Sequence, residues 1–548
     1  MADREAPTIG EYLIDALAKR GVGHVFGVPG DYILRLFQIG SERGMTMVNS
    51  TREEAAVYAA DGYARENGLG AVAVTYGVGT LATLAATGGA NAEHVPVLIV
   101  GGGPGLGERD GRRIHHMPTD DMDTPRRMIS EVTSRAVVVD DPETAFEAID
   151  DAIEACASGL RPVYVELPRD LIDARPEQVW RHSPAVAAGA EPDGLLGAAV
   201  SDVVGVLDAA ARPVVWTGVG VLRRGLGERV SALAERMGAP IVESVMGKGA
   251  VAERHPLALG VYSGATSDER VSSVVEGADV VLALGLVEND INLGAFTVDI
   301  PTERRITVNE RAVSVGYRAY GPLGFDEVAE ALFAAPLRER SAPEGLPHSW
   351  DSLRCQDGRV TCDSLAGTLN DFLRPDDILV SDVGVAAHLT MDVRLAAPGQ
   401  LHIARYYVGM GFAVPAATGA VLARGEGRAI VLVGDGSFQM TGFDLSTAVR
   451  YGTAPIVLVL DNHGYGAERS IVDGPFNDVA PWDYGAVGAV VGAAGVNVST
   501  LAELTEALDE ARRDGGRAWV IGVDLDAHDF PRALRRLGEG LERLMHRD

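Results

Sequence analysis

The chain has 548 residues, enough for about three domains with buried cores, and its 77 acidic against 48 basic residues give a formal charge of −29 at pH 7. This excess of negative charge disfavours nucleic acid and an anionic membrane as partners, because both are negatively charged themselves. The three cysteines are too few and too scattered for a disulfide framework or a zinc site. No basic N-terminal region precedes an apolar segment, and no apolar run reaches transmembrane length, so we expect a cytoplasmic protein.

Helices and apolar strands alternate in the first part of the chain, as in a parallel α/β domain. Thr8 and Glu11 form a candidate capping box at the start of a helix, and the segment His24–Val28 is predicted to be the strand that follows. The alternation continues to the apolar run Pro162–Pro168, which we expect to be the last strand of a domain that covers residues 1–182.

Two further α/β units are predicted after this domain. A linker rich in Gly, Ala, Pro and Glu at residues 183–194 leads to a unit at residues 195–335. A second linker, at about residues 335–350, leads to a third unit at residues 355–548, which ends in a predicted amphipathic helix from Phe530 to Leu544. Strands of the second unit are predicted near residues 213–216, 240–242 and 280–284.

Two polar turns in the third unit each follow a predicted buried strand. The first is Gly434-Asp435-Gly436-Ser437, and the second is Asn462-His463-Gly464. Because ligands bind where parallel strands end, both turns are expected at one ligand-binding edge. A carboxylate, an amide oxygen and a backbone carbonyl suit Mg²⁺, and glycines let the backbone approach phosphates. Either turn alone could be an ordinary turn, but together they predict a diphosphate site with Mg²⁺ at Asp435, Asn462 and Gly464.

This pair of turns resembles the thiamine diphosphate motif, and four earlier segments extend the resemblance in the order in which the family has them. They are Phe26–Asp31, Ala59–Arg65, Thr75–Gly79 and Ala92–Val97. Over nearly its whole length the chain resembles the thiamine diphosphate-dependent 2-keto acid decarboxylases, the group that contains pyruvate and indolepyruvate decarboxylases.

The resemblance implies a fold and an assembly. Three doubly wound α/β domains with parallel sheets are expected: a pyrimidine-binding domain, a middle domain and a diphosphate-binding domain, in the order of the three predicted units. Thiamine diphosphate and Mg²⁺ would be the cofactors. In this family the active site lies between the first domain of one subunit and the third domain of another. We therefore expect a homo-oligomer, with a dimer as the minimum and a tetramer as the alternative.

The resemblance also implies the contacts of the coenzyme. Glu53 matches the glutamate that hydrogen-bonds the aminopyrimidine N1′ and so makes the coenzyme its own base. The carbonyl of Val408 would accept from the 4′-amino group, and Met410 would support the bent coenzyme. A helix-surface glutamate and a core methionine are the plain alternatives. The diphosphate side would be bound by Gly434, Asp435, Gly436, Ser437, Asn462, Gly464 and Tyr465.

Four further groups would move protons during the reaction. Without context, adjacent histidines such as His115 and His116 are more often exposed polar residues or a chance metal-binding pair than catalysts. With Asp31 and Glu468, however, they match the acid set that these decarboxylases have and acetolactate synthases lack. The implied reaction is non-oxidative: the 2-keto acid loses CO₂, the four groups protonate the remaining enamine, and an aldehyde is released.

Two small residues predict a large substrate pocket. Ala467 and Ala387 stand where pyruvate-preferring relatives have larger side chains, and Ile471 would be another wall of the pocket. We therefore expect a branched or aryl 2-keto acid, such as phenylpyruvate or indolepyruvate, as the substrate.

Three alternatives remain open at this stage. Arg52 and Ile33 depart from the decarboxylase pattern, so the same chemistry could serve a carboligase that forms an acyloin. The segment Gly218-Val219-Gly220-Val221 could mark a nucleotide site in the middle domain, although a full Gly-x-Gly-x-x-Gly fingerprint is missing. A non-catalytic relative is the third alternative, and the intact set of site residues argues against it.

Overall fold

The computed structural model describes residues 6–111, 113–177, 194–353 and 358–545, which form three α/β sheets in chain order. The predicted linker at residues 183–194 lies almost wholly outside these ranges, and so does Cys355. Cys156 and Cys362 are buried and free. None of the helices in the described ranges is long and apolar enough to cross a membrane.

The first sheet contains six parallel strands in the order β2-β1-β3-β4-β6-β5. The predicted capping box is confirmed, since Thr8 and Glu11 hydrogen-bond each other's backbone N–H at the start of α1. The strands are β1 His24–Gly27, β2 Thr46–Asn49, β3 Gly70–Val74, β4 Val97–Gly103, β5 Arg135–Val138 and β6 Val163–Pro168. The helices are α1 Ile9–Lys19, α2 Leu34–Glu42, α3 Glu53–Asn67, α4 Val78–Ala82, α5 Leu84–Ala92, α6 Thr124–Ser130 and α7 Ala145–Gly159.

The second sheet has seven strands in the order β13-β12-β11-β10-β7-β8-β9. Five of them are parallel, but β12 and β13 form an antiparallel hairpin at the edge, so this sheet is mixed where we expected a purely parallel one. The strands are β7 Pro213–Thr217, β8 Ile241–Glu243, β9 Ala258–Val261, β10 Val280–Leu284, β11 Arg305–Val308, β12 Val313–Val315 and β13 Arg318–Tyr320. The helices are α8 Leu195–Ala209, α9 Val219–Arg223, α10 Gly227–Met237, α11 Glu269–Glu276 and α12 Phe325–Ala334.

The third sheet is parallel, with the order β15-β14-β16-β17-β19-β18. If the strands of each domain are counted along the chain, this order is the same as that of the first sheet. The strands are β14 Ile378–Ser381, β15 Leu401–Ile403, β16 Ala429–Gly434, β17 Ile456–Asp461, β18 Ala494–Val498 and β19 Trp519–Asp524. The helices are α13 Cys362–Phe372, α14 Val385–Leu389, α15 Ala413–Arg424, α16 Asp435–Thr441, α17 Leu445–Tyr451, α18 Gly466–Arg469, α19 Tyr484–Val490, α20 Leu501–Arg513 and α21 Arg532–Met545.

The central strands of the third sheet are covered on both faces. Val431 and Val433 of β16 belong to one apolar cluster, while their neighbours Ile430 and Leu432 belong to another. Since successive side chains of a strand point to opposite faces, both faces are packed, as in a doubly wound domain. The continuous apolar run that predicted this strand is therefore explained by burial on two sides.

Helices α3 and α15 bring the first and third domains into backbone contact. A Cβ added to Gly62 of α3 would overlap the carbonyl oxygen of Ala416, and one added to Gly419 of α15 would overlap that of Ala59. Next to this crossing, the Glu66 carboxylate accepts hydrogen bonds from Arg424 at 2.7 and 3.0 Å. The two helices thus approach as closely as their backbones allow, and only glycine permits this.

The C-terminal helix α21 packs between the second and third domains. It begins at Arg532, two residues after the predicted start, and contacts α14. The guanidinium of Arg532 donates to Asp392 at 2.6 Å and to the carbonyl of Ser349 at 2.8 Å. Arg536 lies 3.4 Å from Asp268 of the second domain. The helix is therefore held by ion pairs on both sides.

Substitution of Gly62 by alanine should destabilise the protein, because the added methyl group would overlap the backbone of α15. Overpacking of this kind costs about 1–3 kcal/mol, and more where backbone is the obstacle. Gly205→Ala on α8 is the matched control: it is exposed, nothing lies within 4 Å of its added Cβ, and alanine suits a helix better. Thermal unfolding should move in opposite directions for the two variants. A melting temperature of Gly62→Ala at or above that of wild type would contradict the role given to the crossing.

Candidate active site

Asp435 and Asn462 lie side by side at the carboxyl edge of the third sheet, since each directly follows one of the neighbouring strands β16 and β17. Both side chains are buried. Oδ1 of Asp435 accepts from the N–H of Gly436 at 2.7 Å, whereas its Oδ2 has no hydrogen-bond partner. Burial raises the pKa of Asp435 to about 6. A buried carboxylate oxygen without a partner fits a cation, whose charge would offset the cost of burial.

The turn that carries Asn462 is clamped by Arg469, the residue after Glu468. The buried guanidinium of Arg469 donates to the carbonyl oxygens of Asn462 at 3.0 Å and His463 at 2.9 Å, and to Asp478 at 2.6 Å. His463 has a left-handed φ of 62°, so this turn needs outside support. The sequence analysis did not identify this role of Arg469, because an arginine that follows Glu468 forms no distinctive sequence pattern.

Glu53 is the first residue of α3, and a residue of the third domain binds the turn that precedes it. Asp444 of the third domain accepts from the backbone N–H of Thr51 at 3.0 Å and from its hydroxyl at 2.8 Å. Glu53 is half-buried, and its Oε1 lies 3.7 Å from the point where a Cβ on Gly79 would be. The glycine thus leaves space beside the carboxylate.

The segment with Val408 and Met410 is held by two buried carboxylates. Glu93 of the first domain accepts from the backbone N–H of Tyr406 at 2.6 Å and of Tyr407 at 3.1 Å. Asp382, at the end of β14, accepts from the N–H groups of Gly411 and Ala413 at 3.2 and 3.0 Å. Val408 is half exposed and has a φ of 51°, a strained conformation that this anchoring maintains.

Asp31, His115 and His116 form one cluster on the first domain. Nε2 of His115 lies 2.7 Å from Oδ2 of Asp31, and Nε2 of His116 lies 3.4 Å from Oδ1. Partial burial acts to raise the pKa of Asp31, but the hydrogen bond to His115 and the charges of both histidines outweigh it and lower the pKa below its ordinary value. The three residues that the sequence analysis assigned to one acid set thus lie together, and their role in proton transfer stays a prediction.

Glu468 is exposed on the third domain, and within the described part of the chain no hydrogen bond or ion pair joins it to the cluster of Asp31. The residues after it include three exposed large apolar side chains, Ile471, Val472 and Phe476. The other predicted pocket residues, Ala467 and Ala387, lie on the same domain and are partly buried. A single chain thus presents two separate groups of predicted site residues.

The glycines of the middle domain have a structural explanation that needs no nucleotide. A Cβ on Gly218 would overlap the carbonyl of Gly285, and one on Gly220 would lie 2.8 Å from Gly285 Cα. The turn after β10 therefore fills the space at the end of β7 where a nucleotide phosphate would bind. The structure gives the nucleotide alternative no support.

Three family models match the chain in the order of its sheets. The N-terminal and C-terminal TPP binding domains of thiamine pyrophosphate enzymes match residues 7–126 and 382–523, and their central domain matches residues 200–324. Thiamine pyrophosphate is another name for thiamine diphosphate. The three domains are therefore those of a thiamine diphosphate enzyme.

Curated relatives cover almost the whole chain. An indole-3-pyruvate decarboxylase of Azospirillum brasilense is 33% identical over 98% of both chains. A pyruvate decarboxylase of Aspergillus fumigatus is 31% identical over 98% of this chain and 97% of its own. An alpha-keto-acid decarboxylase of Mycobacterium tuberculosis is 32% identical over 97% of this chain and 96% of its own. The chain belongs to the thiamine diphosphate-dependent 2-keto acid decarboxylase family, whose members are carbon–carbon lyases.

If the turn with Asn462 binds Mg²⁺ as the sequence predicts, Arg469→Met should weaken the binding of Mg²⁺ and thiamine diphosphate, because methionine keeps the bulk but releases the carbonyls of Asn462 and His463. Loss of a residue that supports metal ligands typically costs about 10–100-fold in affinity. Arg450→Met, which removes an exposed arginine of the same domain, is the control and should bind both cofactors as wild type does. Titration of the apoenzyme with Mg²⁺ at fixed coenzyme measures the effect. Equal affinity in both variants would contradict the clamp.

Proposed function

We propose that this decarboxylase acts on a bulky 2-keto acid, branched or aryl, and releases the corresponding aldehyde and CO₂. The observation that carries the proposal is a pair of small residues: Ala467, which precedes Glu468, and Ala387, which lies on α14. The name of the Azospirillum brasilense relative, an indole-3-pyruvate decarboxylase, supports an aryl substrate. The buried and unpaired state of Cys156 and Cys362 supports a reducing compartment such as the cytoplasm.

Mg²⁺ would be held by Asp435, Asn462 and the carbonyl of Gly464. The unpartnered Oδ2 of Asp435 supports this assignment, because a hard cation prefers such an oxygen. The diphosphate would lie against the glycines of the same two turns, with Gly434, Gly436, Ser437 and Tyr465 around it. The clamp by Arg469 would keep the metal turn in place before the cofactors bind.

When bound, thiamine diphosphate supplies a carbanion nucleophile and an electron sink for the carbon–carbon bond that breaks. The side chains then have separate tasks. Glu53 would hold a proton at the pyrimidine, the carbonyl of Val408 would orient the amino group, and Met410 would support the coenzyme. Asp31, His115, His116 and Glu468 would bring a proton to the carbon that has lost CO₂. The hydrogen bond between His115 and Asp31, with His116 3.4 Å from the same carboxylate, would supply a relay through which that proton can move.

We further propose that two subunits complete each site. Exposed apolar side chains occur beside both groups of site residues: Val78 near Glu53, and Ile471, Val472 and Phe476 after Glu468. A group of neighbouring exposed apolar side chains, such as the three after Glu468, is typical of an interface. A symmetric dimer would cover it twice and would bring the cluster of Asp31 on one subunit to Glu468 on the other.

Ala467→Ile should shift the enzyme towards pyruvate. One added branched side chain would fill the space used by a bulky substituent, so kcat/KM for phenylpyruvate and indolepyruvate should fall by about 10–200-fold while that for pyruvate is kept or rises. Ala502→Ile on the exposed face of α20 is the matched control and should leave all ratios unchanged. The assay measures CO₂, aldehyde and acyloin for each acid. If wild type turns over pyruvate faster than every bulky acid, the proposed substrate class is wrong.

Mixed dimers test the shared site. Glu53→Gln and Asp435→Asn should each abolish activity alone. If every site takes Glu53 from one subunit and Asp435 from the other, a dimer with one chain of each kind has one intact site, and about half of the wild-type activity should return. Co-expression with two different affinity tags isolates this species. No activity in the purified mixed dimer would place both residues in one chain and overturn the shared site.

A further inference from the structure

We propose that Asp31, His115 and His116 also form a binding site for a transition-metal ion of the Zn²⁺, Co²⁺ and Ni²⁺ type, and that an ion bound there stops decarboxylation reversibly. The site would be separate from the Mg²⁺ site, because it lies on the first domain and uses none of the residues of the third. The binding step depends only on the geometry of this cluster. The inhibition step rests on the proton-transfer role proposed for the same residues.

The spacing of the three donor atoms fits one ion. One ligand atom from each residue lies within 4.8 Å of the others, and the two histidine Nε2 atoms lie 2.7 and 3.4 Å from the two oxygens of Asp31. Tetrahedral ligands at about 2.1 Å from Zn²⁺ are about 3.4 Å apart, so small side-chain movements are sufficient. Among the described residues, this is the only group of three such side chains that could hold a metal.

The backbone already directs both histidines to the same carboxylate. Neighbouring side chains of an extended segment point in opposite directions, so two adjacent histidines do not normally share a ligand. Here His116 has a φ of 68°, and its carbonyl lies so close to Gly77 that any side chain at Gly77 would overlap it. The strained turn at His116 is therefore held by packing, which lowers the entropic cost of ion binding.

The surroundings fix the cluster further. The ring of Tyr32 lies 5.2 Å from that of His115 and 6.0 Å from that of His116. The guanidinium of Arg169 lies 4.7 Å from the centre of the Tyr32 ring. At the far end of the segment, the hydroxyl of Tyr76 donates to the carbonyl of Met122 at 2.7 Å. The loop with the histidines is thus fastened on both sides.

The donor set selects the class of ion. Two imidazole nitrogens and one carboxylate oxygen suit Zn²⁺, Co²⁺ and Ni²⁺, whereas Mg²⁺ prefers oxygen ligands only. The side chains of His115, Asp31 and His116 are 59%, 41% and 32% exposed, so an ion can enter and keep water as a further ligand. A bound ion takes the Nε2 lone pair of each imidazole and one oxygen of the carboxylate, so these atoms can no longer accept a proton and pass it on.

The test uses the holoenzyme with saturating thiamine diphosphate and an excess of Mg²⁺, so that the Mg²⁺ site is filled. Titration with CoCl₂, followed by its visible absorption, and with ZnCl₂, followed by calorimetry, should show one ion per chain. Activity should fall in parallel with occupancy and return when EDTA is added together with surplus Mg²⁺. His115→Gln, His116→Gln and Asp31→Asn should each weaken binding by at least about tenfold.

His528→Gln is the matched control. His528 is an exposed histidine whose Nε2 lies 3.1 Å from Asp473, but among the described residues it belongs to no group of three metal-ligating side chains, so its loss should leave ion binding unchanged. Melting temperatures should be measured for all variants, and values equal to that of wild type would exclude a folding defect as the cause of weaker ion binding.

Three results would overturn the proposal or part of it. Absence of a stoichiometric ion, or equal affinity in wild type and both histidine variants, would overturn the site. An ion bound at the cluster with full activity would overturn the inhibition and the proton-transfer role of the histidines, while the site would be supported. Normal turnover by His115→Gln and His116→Gln without added ion would overturn that role by itself, since the titration measures binding separately.

Discussion

The close crossing of α3 and α15 is the constraint on which the arrangement of this chain depends. Gly62 and Gly419 bring the backbones of two domains into contact, and at both positions the space for a side chain is filled by the backbone of the other helix, so the close packing resists sliding. α3 begins at Glu53, and α15 begins three residues after Met410. The crossing therefore sets the positions of these two residues relative to each other, and Asp444 and Glu93 secure the ends from opposite domains.

Buried charges accompany this junction. Glu93 is almost fully buried, and burial raises its pKa, although Arg65 and Arg223 lie near enough to oppose the shift. Arg405 is buried as well, and burial lowers its pKa to about 10. Apolar residues would pack such a junction at lower cost, so the benefit of the charges is in defining one arrangement of the chain segments. Each backbone N–H bound by Glu93 belongs to the segment that ends at Met410.

The sequence predicted those features that depend on local order. Each run of apolar residues before Gly434 and before Asn462 is buried on two faces, so strand and turn could be recognised together, and the adjacent histidines were found with Asp31. Arg469, Glu93, Asp382 and Asp444 could not be assigned, because their partners are mostly backbone groups that any residue could offer. For Glu93 and Asp444 these partners lie 313 and 393 positions away. The antiparallel hairpin of the middle sheet was missed because strands of three residues are too short to show a period.

The equal strand order of the first and third sheets gives the chain two versions of the same set of loops. Asp31 follows the first strand of one sheet and Ala387 the first strand of the other; the histidine pair and Glu468 both come after the fourth strand. A substitution in a loop of one sheet therefore need not disturb the corresponding loop of the other sheet. With the roles proposed for these residues, an engineer would change the substrate range through Ala387 and Ala467 on the third sheet and leave the loops of the first sheet with their original sequence.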